Sequence, residues 1–231
     1  MPLLVPILPL MDGAIAEPDS RRPHGMLFWS TDVKALLASY HSLGVQWVHF
    51  QDLEGQRLGR PVEACAVTEI AVLKDLIVSV EGGIRTWQDA RMYLGQAVDL
   101  VYLGRRDGWQ LPFAGIGQAE VERRLLVEFV LPERCATDPE LALELLRPAM
   151  SFGVIPVLQS AMPWQALVRV GNLVGVEFQR RLMLRPEGIA DLSAWRAGLR
   201  LTGGFVQAVL LEHRTLESLG LTTAVSMALE A

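Results

Sequence analysis

Carboxylates at strand ends, and glycines in the turn beside them, are the residues of this chain best suited to do chemistry. The run Leu76 to Val80 is apolar and reads as a short buried strand. Glu81 follows it, Gly82 and Gly83 turn the backbone without a Cβ, and Thr86 opens a helical pattern. A strand, a glycine turn and a helix start together aim free backbone N–H groups at an anion. The same string also serves as a plain turn between strand and helix. Glu81 is a proton-transfer group or a surface carboxylate next to that turn. Arg85 is an anion ligand or a helix-surface charge. Asp52 closes a second strand and is a site residue at the mouth if the strands form a barrel, or otherwise a loop carboxylate. His49 lies inside that strand rather than at its end and reads as a packed, hydrogen-bonded histidine. No His, Cys or carboxylate cluster has metal-ligand spacing, and no nucleophile-elbow or P-loop string is present, so neither a metal nor a cofactor is expected.

The elements that must position these residues follow from periodicity. Leu3 to Leu10 reads as a buried strand made irregular by Pro6 and Pro9, with Asp12-Gly13 turning the chain. Residues 14–30 read as a long connection. Thr31-Asp32 caps a helix to about Leu43. Residues 45–54 form the second strand, with Trp47, His49 and Gln51 on one side and Val48, Phe50 and Asp52 on the other. Gly55 to Gly59 reads as a loop, and Pro61 starts a helix to about Lys74. Further strands are expected over residues 76–80, 99–104, 125–131, 154–158, 176–184 and 205–211. Helices are expected between them, including short ones over 120–123 and 164–170, and a last one over 216–229. Eight strands alternating with helices in 231 residues favour one (β/α)8 barrel domain over residues 1–231, its second half shortened or irregular. Glu81-Gly-Gly-Ile-Arg-Thr-Trp87 and the stretch from Glu187 to Trp195 echo each other, as a half-barrel duplication or by chance.

Composition narrows the classes. Hydrophobic residues are 51% of the chain and charged residues 20%, enough apolar side chains for a large core. The net charge of -5 argues against a nucleic-acid partner, while arginine pairs such as Arg105-Arg106 leave room for small anionic ligands. Two cysteines, Cys65 and Cys135, make no disulfide framework. The apolar N-terminus lacks a basic region and is broken by prolines, so it does not read as a signal peptide, and no stretch is long enough to span a membrane. A cytoplasmic setting is expected.

The order of these features resembles the phosphosugar barrels of histidine biosynthesis, the ribotide isomerase and its sister cyclase. The residues that carry the resemblance are Val5-Pro6-Ile7 with Asp12-Gly13, Gly44 to Gly55, Glu81-Gly-Gly-Ile-Arg-Thr86 and Val101-Tyr-Leu-Gly104. It runs in order through residues 1–105 and is patchy beyond. The resemblance implies two phosphate sites at the barrel mouth. One maps onto Gly82, Gly83, Arg85 and Gly104. The other maps onto Gly188, Ile189 and the turn Glu212-His213-Arg214. Glu81, Glu187 and Glu212-His213 stand where the family has glycine, and a carboxylate beside a phosphate is unfavourable without an intervening cation.

The family's isomerase uses two carboxyl groups as general acid and base. Pro9 stands at the first-strand position and has no proton to move. The fifth strand also lacks the family's aspartate, so Glu128, Glu133 or Asp12 would have to stand in, with Asp52 and Glu81. The resemblance therefore implies an anionic, phosphorylated metabolite and isomerase-like acid–base chemistry with an altered carboxylate set. The alternative is a non-catalytic barrel that binds a ligand, a partner protein or a second copy of itself, since the family's cyclase docks with a glutaminase. Barrels of this family lacking the usual acids also occur near tetrahydromethanopterin pathways, which admits a one-carbon role.

Overall fold

The computed structural model describes residues 2–18, 26–71, 76–95, 97–103, 124–150, 154–187, 189, 192–212 and 215–216. The strands are β1 (Leu3–Met11), β2 (Ala14–Pro18), β3 (Met26–Ser30), β4 (Trp47–Asp52), β5 (Ile77–Glu81), β6 (Leu100–Leu103), β7 (Leu125–Val130), β8 (Ile155–Ser160), β9 (Leu182–Pro186) and β10 (Val206–Glu212). The helices are α1 (Val33–Ser42), α2 (Leu53–Leu58), α3 (Ala64–Ala71), α4 (Trp87–Leu94), α5 (Glu140–Met150), α6 (Trp164–Phe178) and α7 (Leu192–Leu201). Strands β1 and β4 to β10 pair in parallel, and β10 closes on β1 from Leu3↔Ala208 to Ile7↔Glu212. The result is a closed barrel of eight parallel strands with helices between them, as the alternation of elements predicts.

Period-two alternation sorts the side chains. Val48, Phe50, Val78, Val80, Val101, Leu103 and Leu184 face the helices and form the larger core. Val5, Ile7, Trp47, Tyr102, Leu126, Val157, Met183 and Leu210 point inward and fill the barrel. Toward the C-terminal strand ends the inward face changes character. After Trp47 come His49 and Gln51, after Ile77 come Ser79 and Glu81, after Leu126 comes Glu128, after Val157 comes Gln159, and after Met183 comes Arg185. The apolar plug thus gives way to a polar layer at the mouth.

Three sequence expectations change. Much of residues 14–30 is strand rather than open connection: β2 and β3 form an antiparallel hairpin continuing from β1, because Ile15 and Ala16 bury fully. The segment 53–71 holds two helices, α2 and α3, where the sequence predicts a loop and one helix to about Lys74; residues 72–74 lie outside the described residues. Asp52 makes the first of them, since its carboxylate accepts the Gly55 N–H and caps α2. The stretch 176–184 is not a strand throughout. Its start completes α6, and the chain re-enters the sheet at Leu182. Gly171 and Gly175 allow this: a Cβ on Gly171 would meet Leu184 Cδ2 at 2.9 Å, and one on Gly175 would overlap Phe205. The expected helices over 120–123 and most of 216–229 lie outside the described residues.

Candidate functional site

At the C-terminal mouth, a cavity of about 360 Å³ is lined by Gln51, Gln56, Glu81, Gly82, Gly83, Ile84, Tyr102, Glu128, Gln159 and Arg185. Consecutive strands deliver most of them in register, Gln51 beside Glu81, Glu81 beside Tyr102, and Gln159 beside Arg185.

The charged heart of the site is a pair that crosses the barrel from β5 to β9. Arg185 Nη1 donates to Glu81 Oε2 at 3.1 Å and Nη2 donates to Oε1 at 3.2 Å, a two-pronged contact that suits a planar guanidinium. Arg185 Nη1 also donates to the Tyr102 hydroxyl at 3.1 Å and lies 3.7 Å from Glu128 Oε1. Tyr102 donates onward to Glu128 Oε1 at 2.7 Å. Burial alone would push the Glu81 carboxyl up, but Arg185, with help from His49, outweighs it and holds the group down at about 2. Glu81 is therefore ionised throughout the physiological range. Burial raises the Tyr102 phenol well above its ordinary value, so it remains a donor.

Beneath this pair sits His49, fully buried. Its Nδ1 lies 2.8 Å from Ser79 Oγ, which also accepts the Trp47 indole N–H at 2.8 Å. Its Nε2 has no hydrogen-bond partner and lies 3.7 Å from Glu81 Oε1. Burial lowers its pKa, so the ring is neutral near pH 7. With the proton on Nε2 and Nδ1 accepting from Ser79, the ring turns its positive edge toward the carboxylate.

The glycine turn has the backbone its sequence suggests. Gly82 has φ 113° and Gly83 φ 70°, values that side-chain-bearing residues rarely adopt. A Cβ on Gly82 would overlap the Asp52 carbonyl, and one on Gly83 the Arg60 carbonyl. The N–H groups of Gly82, Gly83 and Ile84 donate no hydrogen bond to another described residue. The next N–H groups are occupied, because Asp89 Oδ2 accepts from Arg85 N at 3.0 Å and Thr86 N at 2.8 Å and so closes a capping box. Arg85 is exposed and does not line the cavity; its guanidinium lies against Gly59.

The remaining candidates fall elsewhere. Asp52 faces outward and is fully buried outside the cavity lining. Its carboxylate accepts the backbone N–H groups of Gly55, Val62 and Glu63 and the Tyr93 hydroxyl. Asp12 sits in the β1–β2 turn at φ 52°, where its N–H and that of Gly13 donate to Glu63 at 2.6 and 3.1 Å. Asp12, Glu54 and Glu63 each offer a carboxylate oxygen within 4.8 Å of the others, a grouping that could share a cation and that sequence spacing did not reveal. Glu133 opens a short 3-10 turn after β7. Glu187 accepts from the Gln159 amide at 3.4 Å. Gly104, Gly188, His213 and Arg214 lie outside the described residues. Sequence reasoning passed over Arg185, Tyr102 and the three glutamines. Arg185 had a usable signal, an arginine two residues after the inward Met183, but it was hidden by placing the seventh strand too early.

The comparisons bear on the first half of the chain. Residues 4–107 match the model of the family described as Histidine biosynthesis protein. A curated protein of Chromohalobacter salexigens is 32% identical over 114 residues, 49% of this chain and 46% of its own. It is named 1-(5-phosphoribosyl)-5-((5-phosphoribosylamino)methylideneamino)imidazole-4-carboxamide isomerase. Proteins of the same name from Shouchella clausii and Paracoccus denitrificans are 44% identical over 66 residues (29% of this chain, 28% of theirs) and 31% identical over 102 residues (44% and 43%). The chain spans about half the length, or less, of these curated relatives, and the segment 4–107 that matches the family model carries Gly82 and Gly83 but not Arg185. No helix among the described residues is long and apolar enough to cross a membrane. With the closed barrel in place and its first four barrel strands inside the matched segment, the first half of the chain is similar to the histidine biosynthesis barrel family.

Proposed function

We propose that the chain is one barrel domain that binds a small phosphorylated or otherwise anionic metabolite at its C-terminal mouth. The observation that carries this reading is the row of N–H groups from Gly82 to Ile84, which donate to no other described residue, on a cavity that also holds Arg185. A glycine turn of this kind accepts an anion through its backbone, and Gln51, Gln56 and Gln159 supply amides for hydroxyl or carbonyl groups of the ligand. The relatives' isomerase name suggests proton transfer on a sugar-like skeleton. In this chain that work falls to Glu128, the cavity carboxylate not clasped two-pronged by Arg185, with Tyr102 as its hydrogen-bond donor. Pro9 brings no acid from β1, so the ribotide named for the relatives is not isomerised at ordinary enzyme rates.

Calorimetric titration with ribose 5-phosphate tests the binding. We expect saturable binding that plain ribose does not reproduce and that Gly83→Ala abolishes. Equal behaviour of sugar and sugar phosphate overturns the reading. A specific feature favours a non-catalytic variant of the same reading: Glu81 is locked to Arg185 and cannot carry a proton near pH 7. Slow product formation from the ribotide, far below ordinary enzyme rates and lost in Glu128→Gln, decides for acid–base catalysis; binding of ribose 5-phosphate with no product formed at all decides for the non-catalytic barrel.

A further inference from the structure

The Glu81–Arg185 pair and the open nitrogen of His49 beneath it carry an inference that rests on the anion-binding reading and specifies how binding occurs. Arg185 lines the cavity with 13% of its side chain exposed, while Glu81 behind it keeps 4%. An anion arriving in the cavity therefore meets the guanidinium first and competes with Glu81 for it. Once Arg185 turns to the ligand, Glu81 is left as an unpaired charge in the barrel interior, an arrangement that is strongly unfavourable. One group stands ready to replace the cation: His49 Nε2, fully buried, without a hydrogen bond, and 3.7 Å from Glu81 Oε1. The charged and titratable groups facing the ring are Glu81 from β5, Tyr102 from β6 at 5.1 Å between ring centroids, Glu128 from β7 and Arg185 from β9; β1 pairs beside it through Ile7. With Arg185 withdrawn, the ionised Glu81 carboxylate beside the ring favours a proton on the imidazole.

We propose that Arg185 receives the ligand's anionic group and that His49 takes up one proton to replace Arg185 at Glu81, so that anion binding by this barrel is proton-linked. The proton comes from solvent and adds at Nδ1, since Nε2 already carries one; the Ser79 hydroxyl then turns its own proton to the Val48 carbonyl at 3.3 Å and accepts from the ring, and no other covalent bond changes. Affinity for an anion that does not itself titrate then rises by up to about tenfold for each unit fall in pH, over the range where the free protein's His49 is neutral.

Sulfate is such a probe across roughly pH 5 to 8, where histidine titrates. Calorimetry of sulfate binding in two buffers of different ionisation enthalpy gives the number of protons taken up. We expect close to one for the wild-type protein and close to none for His49→Gln and for Glu81→Gln, with folding of each variant checked by circular dichroism. Glu81→Gln removes the charge that needs replacing, so it should still bind sulfate and should do so with little dependence on pH. It also keeps the test decisive should His49→Gln not fold. Sulfate bound without proton uptake, or with uptake undiminished in the folded variants, overturns the inference and leaves the anion-binding reading standing. Failure of the wild-type protein to bind sulfate overturns both.

Discussion

Asp52 and Glu81 are both buried carboxylates at adjacent strand ends, yet strand pleating gives them opposite tasks. Asp52 points out of the barrel and gathers three backbone N–H groups and the Tyr93 hydroxyl, tying the end of β4 to α2, to residues 62–63 and to α4. A buried carboxylate held in this way is costly to disturb. Tyr93→Phe, which removes one donor, should destabilise the protein by about 1–3 kcal/mol in urea unfolding. The same residue supports the glycine turn, because Gly82 rests on the Asp52 main-chain carbonyl. Gly83→Ala must force a side chain to φ 70° and against the Arg60 carbonyl. We expect a loss of about 1–2 kcal/mol from the dihedral alone, with ligand binding lost as well.

Among the elements, α6 and α7 show how small residues set helix contacts. Trp164 and Trp195 stack with ring centroids 5.3 Å apart, and the Trp164 indole donates to the Trp195 carbonyl at 3.1 Å. Gly198 lies directly against that indole, and a Cβ there would overlap it. Gly198→Ala should therefore cost about 1–3 kcal/mol through overpacking, despite alanine's better helix propensity. Thermal unfolding of this variant checks whether α7 is seated on α6 as described. The element-level misreading of residues 176–184 has the same origin. The valines and leucines of 173–184 fit both a strand and a buried helix by periodicity, and only the close approach of Gly171 and Gly175 to Leu184 and Phe205 decides for the helix.

On the scale of the whole molecule, the Glu81–Arg185 contact joins residues 104 positions apart and so depends on barrel closure. Arg185→Leu should destabilise by about 3–5 kcal/mol by leaving Glu81 buried without its cation, whereas the double replacement Glu81→Leu with Arg185→Leu should recover most of that loss. Acid stability follows the same charges. The folded pKa of His49 lies below its ordinary 6.5, so the unfolded chain binds that proton first and stability falls as pH drops below about 6.5. Glu81, held at about 2 against an ordinary 4.5, adds stability that is present above pH 4.5 and is lost as pH falls toward 2. Urea unfolding at stepped pH should show both limbs, and His49→Gln should flatten the upper one and only weaken the lower one, which Arg185 chiefly sustains.

By itself the sequence determined the alternation of strands and helices, the sidedness of β4 and the turn at Gly82-Gly83, because period-two burial and glycine's backbone freedom are local properties. It also left a puzzle, a glutamate where an anion was expected. Only the tertiary structure supplied the cation, since Arg185 reaches Glu81 across the barrel from the far half of the chain. Only the fold turned Asp52 away from the mouth and gathered Asp12, Glu54 and Glu63 into one corner. Such pairings depend on which strand ends become neighbours when a sheet closes, and no short stretch of residues contains that information.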